Sequence, residues 1–156
     1  MKRKSKKGSK TVSQWKKLCW KVFSEWIRER DSVRLSPNGE REIYCFTCKN
    51  RISFKQAQAG HFQPGRYPVF LFDERQVNAQ CKKCNSKRPF GLGGNKEMYT
   101  LNMIRDYGEE EVRKMLQNKN NFGQWKTHEL EEIYLKYKSK LYEFNETKIH
   151  NLNKRI

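Results

Sequence analysis

Two Cys-x2-Cys pairs constrain this chain more than any other feature. They are Cys45-Phe-Thr-Cys48 and Cys81-Lys-Lys-Cys84. Two residues between cysteines make a tight turn that points both sulfurs at one ion, so two such pairs supply a closed tetrahedral thiolate set for zinc. The intervening segment is 32 residues long, whereas a zinc ribbon usually spaces its pairs by roughly 15–20. Something with its own structure is therefore expected to fold inside the loop. Two disulfides are the alternative, but they belong to an oxidising compartment, and no apolar leader in the sequence points to one. The fifth cysteine, Cys19, lies on an apolar helical face and is read as an inert core residue.

Periodicity supplies the framework around the cysteines. Residues 12–30 read as a helix, because Trp15, Leu18, Cys19, Val22, Phe23, Trp26 and Ile27 recur at spacings of three and four. Thr11 or Ser13 can cap its start. Its stripe is expected to be core, with a dimer contact as the alternative. Residues 31–40 read as a turn around Ser36-Pro-Asn-Gly39. Short strands are expected at 42–46 and 76–80, with 55–61 leading into the segment around His61, a turn at 63–66 and an apolar stretch at 67–72. A helix is expected to start near Lys82 and to stop before Pro89. Beyond a glycine-rich link, Asn95 is a candidate cap for a helix over 96–107 with Met98, Leu101 and Ile104 inward. Gly108 ends it, and 109–117 forms another helix, acidic at its start as the helix dipole favours. Residues 127–145 form a longer one with Leu130, Ile133, Tyr134, Tyr137, Leu141 and Phe144 on its apolar stripe. That stripe suits dimerisation or packing against the first helix equally well. The expected organisation is a disordered basic arm (1–11), an amphipathic helix (12–35), a zinc-bound core (42–90) and a helical region (95–147). The fold class is α+β.

Charge narrows the function. Lys and Arg number 34 against 17 acidic residues, for a net charge of +17 and a pI near 9.8. Such an excess points to a polyanion. Six basic residues lie within the first ten, an arm suited to phosphates without base reading. No apolar run approaches membrane-spanning length. His128 and His150 have no ligand-like neighbours and are assigned no role.

The ordered set Ile27-Arg-Glu-Arg-Asp31, Cys45-x2-Cys48, Ala59-Gly-His-Phe62, Phe72-Asp-Glu-Arg75, Gln80-Cys-x2-Cys-Asn85, Gly94-Asn95 and Ile104-Arg-Asp-Tyr-Gly108 carries a resemblance. The zinc-bracketed Gly-His and the Asn directly after the last Cys resemble the HNH, or His-Me finger, nucleases and the recombination endonuclease VII family. The whole set, over roughly residues 20–142, resembles the NinG/Rap recombination endonucleases of lambda-like phages. The resemblance implies a zinc-clamped ββα-metal core flanked by helices. It implies an endonuclease that cuts branched DNA such as Holliday junctions and D-loops, expected as a homodimer in the cytoplasm of the bacterial host. His61 would be the general base and Asn85 the ligand of catalytic magnesium or manganese. The chemistry suits those types: imidazole titrates near neutrality, and a hard cation takes oxygen ligands while keeping several waters.

Three positions depart from the wider HNH pattern. The Asp that often precedes the base is Gly60, the middle Asn is Gln76, and the acid three residues after the helix Asn is Arg88. Gly60 and Gln76 are therefore read as supporting residues. Asp73, Glu74 and Glu97 are candidates to complete the metal set. Lys82, Lys83, Lys87, Arg88, Arg66 and Arg75 are candidate DNA contacts. Two other readings stay open: a nicking or homing-type HNH nuclease on duplex DNA, and a non-catalytic zinc module that binds nucleic acid.

Overall fold

The computed structural model describes residues 9–35, 40–64, 68–87, 89, 91–118 and 123–153. They fall into two compact units, one drawn from Met1–Val22 with Trp125–Ile156 and the other from Phe23–Gln124. Residues 1–8 of the expected arm (1–11), the Ser36–Gly39 turn, and Arg66 and Arg88 lie outside the described residues.

The first unit pairs the start of α1 (Val12–Arg30) with α6 (Thr127–Asn153). A reciprocal cap starts α1: the Gln14 N–H donates to Thr11 Oγ1 and the Thr11 N–H to Gln14 Oε1, which satisfies two helix-end donors at once. Trp15 meets Tyr134 edge-on at 5.8 Å. Cys19 is fully buried, and its thiol donates to the Leu130 carbonyl at 2.9 Å. Leu130 and Tyr137 are buried as well. The two apolar stripes thus cover each other within this unit, each buried side chain contributing about 1.5–3 kcal/mol.

The second unit carries the remainder of α1 and two small antiparallel sheets. β1 (Ser32–Leu35), β2 (Arg41–Tyr44) and β3 (Arg51–Ser53) form one, in that order. β1 corrects the expectation of a plain turn over 31–40. Its four residues alternate too briefly to register as a strand, and Val33 is 61% exposed, so ladder bonds to β2 rather than burial hold it. β4 (Gln58–His61) and β5 (Val77–Gln80) form the other sheet, with Gly60 opposite Asn78 and His61 opposite Val77. Between them runs the short α2 (Pro68–Leu71), and α3 (Lys82–Asn85) follows β5 directly.

The open edge of β5 is closed by side chains. Asp31 Oδ2 accepts the Ala79 N–H at 2.7 Å. The Arg30 guanidinium donates to the carbonyls of Glu74 and Val77 and to Asn78 Oδ1, while Asp31 pairs with it. Phe23 stacks edge-on against Phe72, and Trp26 Nε1 donates to Glu74. The Arg30-Asp31 end of α1 therefore does for β5 what a third strand would do.

α4 (Lys96–Tyr107) and α5 (Glu109–Gln117) close the core formed by Phe62, Tyr99, Met103, Val112 and Met115. The buried face of α4 is rotated from the expected one. Met98 and Leu101 are exposed, whereas Tyr99, Asn102 and Met103 are buried and Ile104 packs beside them. Two polar side chains turn the helix. Asn102 Nδ2 donates to the carbonyls of Phe46 and Thr47, and the Tyr99 hydroxyl donates to the Gly60 carbonyl while accepting from Asn78. Hydrogen bonds of this kind cost too much to leave unmade when buried. Asn95 also departs from expectation. It sits at the N-cap in left-handed backbone, φ 48°, but its side chain does not cap; it donates to Cys84 Sγ instead. Among the described residues no helix is long and apolar enough to cross a membrane.

Candidate metal centre and active site

The cysteines meet because β5 places its C-terminal end beside the end of β2. The Phe46 N–H donates to the Ala79 carbonyl at 2.8 Å, which ties the first knuckle to the strand that leads into the second. The first knuckle closes on itself, with Lys49 N–H on the Cys45 carbonyl and Lys49 in left-handed backbone at φ 59°. In the second, Cys81 Sγ accepts the Cys84 N–H at the start of α3.

The four sulfurs of Cys45, Cys48, Cys81 and Cys84 all lie within 4.8 Å of one another, and none of the five cysteines is in a disulfide. Cys48 and Cys81 sulfurs are 3.9 Å apart. A tetrahedral zinc with bonds of about 2.3 Å separates its sulfurs by about 3.8 Å, so the set could hold zinc. Donors surround it: Cys81 N–H and the Thr47 hydroxyl approach Cys45 Sγ at 3.2 and 3.3 Å, and Asn95 Nδ2 approaches Cys84 Sγ at 3.5 Å. Burial opposes ionisation of Cys45, but these hydrogen bonds outweigh it and lower the thiol to about 6. Burial and the neighbouring thiols push Cys48 up to about 12, and Cys81 is raised for the same reasons. Four thiolates crowded together repel; a bound cation removes that penalty. Cys19 stands apart, its thiol pushed up to about 11 by burial, as befits an inert core residue.

His61 ends β4. Its Nε2 lies 3.2 Å from the Leu71 carbonyl on α2. A carbonyl only accepts, so Nε2 carries the proton and the neutral ring keeps its lone pair on Nδ1. The ring's pKa is held below 6.5, chiefly by burial and also by the charge of Lys96, against the opposing pull of the Leu71 carbonyl. The imidazole is thus neutral at pH 7.

Asn85 closes α3 and reaches β4. Its Nδ2 donates to Gln58 Oε1 at 3.0 Å, and its Oδ1 lies over Gly60: a methyl group placed on Gly60 would fall 2.8 Å from it and 1.9 Å from Gln80 Oε1. Gly60 is therefore a place of close approach rather than a flexible joint. Asn85 sits over the residue next to His61.

The remaining candidates divide. Gln76 is buried, but its backbone does the bracing: its carbonyl accepts the Phe62 N–H at 2.7 Å. Asp73 is engaged by the Arg75 guanidinium and backbone N–H, and Glu74 by Trp26. Glu97 is exposed on the first turn of α4, lining a surface hollow with Lys87, Asn95 and Lys96. Asp73 and Glu74 are thus held by other side chains, and Glu97 faces the surface hollow. Lys82, Lys83 and Lys87 are exposed on and just after α3. Arg75 is exposed but already paired with Asp73 and Glu111.

Sequence reasoning did not single out Lys96. Its ammonium donates to the carbonyls of His61 and Phe62, which pins the end of β4 to α4. Only its place just after Asn95 hinted at it. Gln80, fully buried beside the second knuckle, was quoted in a motif without a role.

Comparison with known proteins follows the same span. A family model described as "Bacteriophage Lambda NinG protein" matches residues 1–147. The chain is 31% identical over 133 residues to "Protein ninG" of Escherichia phage 933W, covering 85% of this chain and 59% of that protein. It is 29% identical to the protein of the same name from Escherichia phage lambda, covering 85% and 58%. Against that of Salmonella phage P22 it is 27% identical over 140 residues, covering 89% and 62%. The chain thus spans about three fifths of the length of these curated relatives. No solved structure matches it.

Proposed function

The chain belongs to the NinG family of lambda-like bacteriophages, and from that premise and the site geometry we propose that it is a metal-dependent endonuclease acting on branched DNA during phage recombination. In this reading the core is of the ββα-metal, HNH type: β4 and β5 are its strands, α3 its helix, and the cysteines its zinc clamp.

One observation carries the proposal. A neutral, half-buried histidine at the end of β4 has its Nε2 proton committed to a backbone carbonyl, and an asparagine from α3 lies over the neighbouring glycine. In the mechanism, His61 Nδ1 takes a proton from the water that attacks phosphorus. The bond to the leaving sugar oxygen breaks, and that oxygen takes a proton from solvent. Leu71 fixes the tautomer, and Lys96 keeps the ring neutral and the strand end in place. Asn85 Oδ1 would hold magnesium or manganese, which supplies positive charge against the developing negative charge on the phosphate. Lys82, Lys83 and Lys87 would contact phosphates without reading bases, which suits recognition of shape. Symmetric cutting of a four-way junction takes two active sites, so the working form is proposed as a homodimer in the cytoplasm of the host cell.

The test is cleavage of a labelled four-way junction beside a matched linear duplex, with magnesium supplied or omitted. Magnesium-dependent cutting of the junction in preference to the duplex is expected. Equal cutting of both would remove the branch preference, and tight binding without cutting under any divalent metal would overturn the enzymatic reading.

A further inference from the structure

Gln80 ends β5, immediately before the second knuckle, and its side chain is fully buried. Its amide orientation is fixed at one end: Nε2 donates to Thr47 Oγ1 at 3.2 Å and to the Gly94 carbonyl at 3.0 Å. Because the Gly94 carbonyl can only accept, the nitrogen must face it, and Oε1 must point the other way, toward Gly60. There it has no donor among the described residues. An amide oxygen buried without a partner is costly, and such an orphan calls for an explanation.

Asn85 converges on the same place. Its Nδ2 donates to Gln58 Oε1 at 3.0 Å, and its Oδ1 faces Gly60. Both oxygens crowd the space where a side chain at position 60 would begin, at 1.9 Å for Gln80 Oε1 and 2.8 Å for Asn85 Oδ1. Two amide carbonyls facing one point, with both NH2 groups engaged elsewhere, repel each other unless a cation or a hydrogen-bond donor lies between them. Neutral oxygens at close range are what a hard divalent cation accepts while it keeps water and phosphate in its other positions.

We infer that Gln80 is a ligand of the catalytic cation, its Oε1 pairing with Asn85 Oδ1 across Gly60. This rests on the nuclease reading above and deepens it. Position 60 then carries no carboxylate because Gln80 reaches the metal from the next strand, through the gap that glycine leaves. The same side chain ties the cation to the zinc clamp, since Thr47 lies within the first knuckle.

The experiment measures Mn2+ affinity directly, from the EPR signal of free Mn2+. It uses the whole 156-residue chain, zinc-loaded and carrying His61→Ala, so that a bound four-way junction stays uncut. Gln80→Met, Gln80→Glu and Asn85→Ala are compared with this parent, each after zinc content and thermal unfolding have been checked. Loss of one ligand in Gln80→Met is expected to weaken Mn2+ binding roughly tenfold, and the added charge of Gln80→Glu to tighten it. Parent-like binding by Gln80→Met would overturn the inference. If Asn85→Ala still lost affinity, the nuclease reading would survive that outcome. Should Gln80→Met not fold, weaker binding by Gln80→Glu than by the parent overturns it equally. A parent that binds no Mn2+ even with the junction would sink both readings together.

Discussion

His61 titrates in a direction that its surroundings set. Burial and Lys96 hold its pKa below 6.5, and in the proposed mechanism the neutral ring is the base. Cleavage, as kcat/KM, is therefore expected to be flat above pH 6.5 and to fall only as pH drops through the lowered value. The sign for stability is the same. The unfolded chain takes up a proton near 6.5, before the folded one does, so the folded state loses stability as pH falls below that value. Lys96→Met removes a charge that lowers the pKa and should move the acid limb of the pH–rate profile upward; an unmoved limb would exclude Lys96 from that role. Of these residues, His61 and Asn85 could be proposed from the sequence because the ordered motifs around the two knuckles resemble the HNH pattern. Lys96 and Gln80 were not, since their roles arise from contacts with Phe62, Gly94 and Thr47 that only the folded chain brings together. Asp73 and Glu74 looked suitable as carboxylates, but Arg75 and Trp26 engage them.

Elements are held by partners distant in sequence. Arg30 gives β5 two hydrogen bonds, at Val77 and Asn78, and a third to the Glu74 carbonyl just before it, while Asp31 accepts one from Ala79. Arg30→Ala should lower stability by about 1.5–3 kcal/mol, the worth of charge-assisted hydrogen bonds, read as an earlier midpoint in urea. A midpoint unchanged from wild type would mean that β5 does not depend on this brace. The helices were legible from their periodicity, and α1, α4 and α5 run over the residues expected. What periodicity misjudged is orientation. α4 turns Tyr99 and Asn102 inward because their hydrogen bonds to Gly60, Phe46 and Thr47 outweigh the burial of Met98 and Leu101. β1 escaped notice because four residues with an exposed Val33 carry too little alternation.

For the whole molecule, metal and charge dominate. Cys81→Ser should lose zinc and melt at a lower temperature, because the three remaining thiols without a cation are a poor core; a zinc-free protein that melts like wild type would contradict the clamp. With a charge of +17, the proposed DNA binding should be strongly salt-dependent. If Lys82, Lys83 and Lys87 each neutralise a phosphate, their joint replacement by Ala should reduce the slope of log K against log salt by about 3. An unchanged slope would place the DNA elsewhere. The most direct test of the central claim is magnesium-dependent cutting of a four-way junction by wild type and His61→Ala, each shown to carry zinc and to fold. Loss of cutting by about 100-fold or more, with zinc and junction binding retained, is the predicted result. Cutting undiminished in His61→Ala would contradict it.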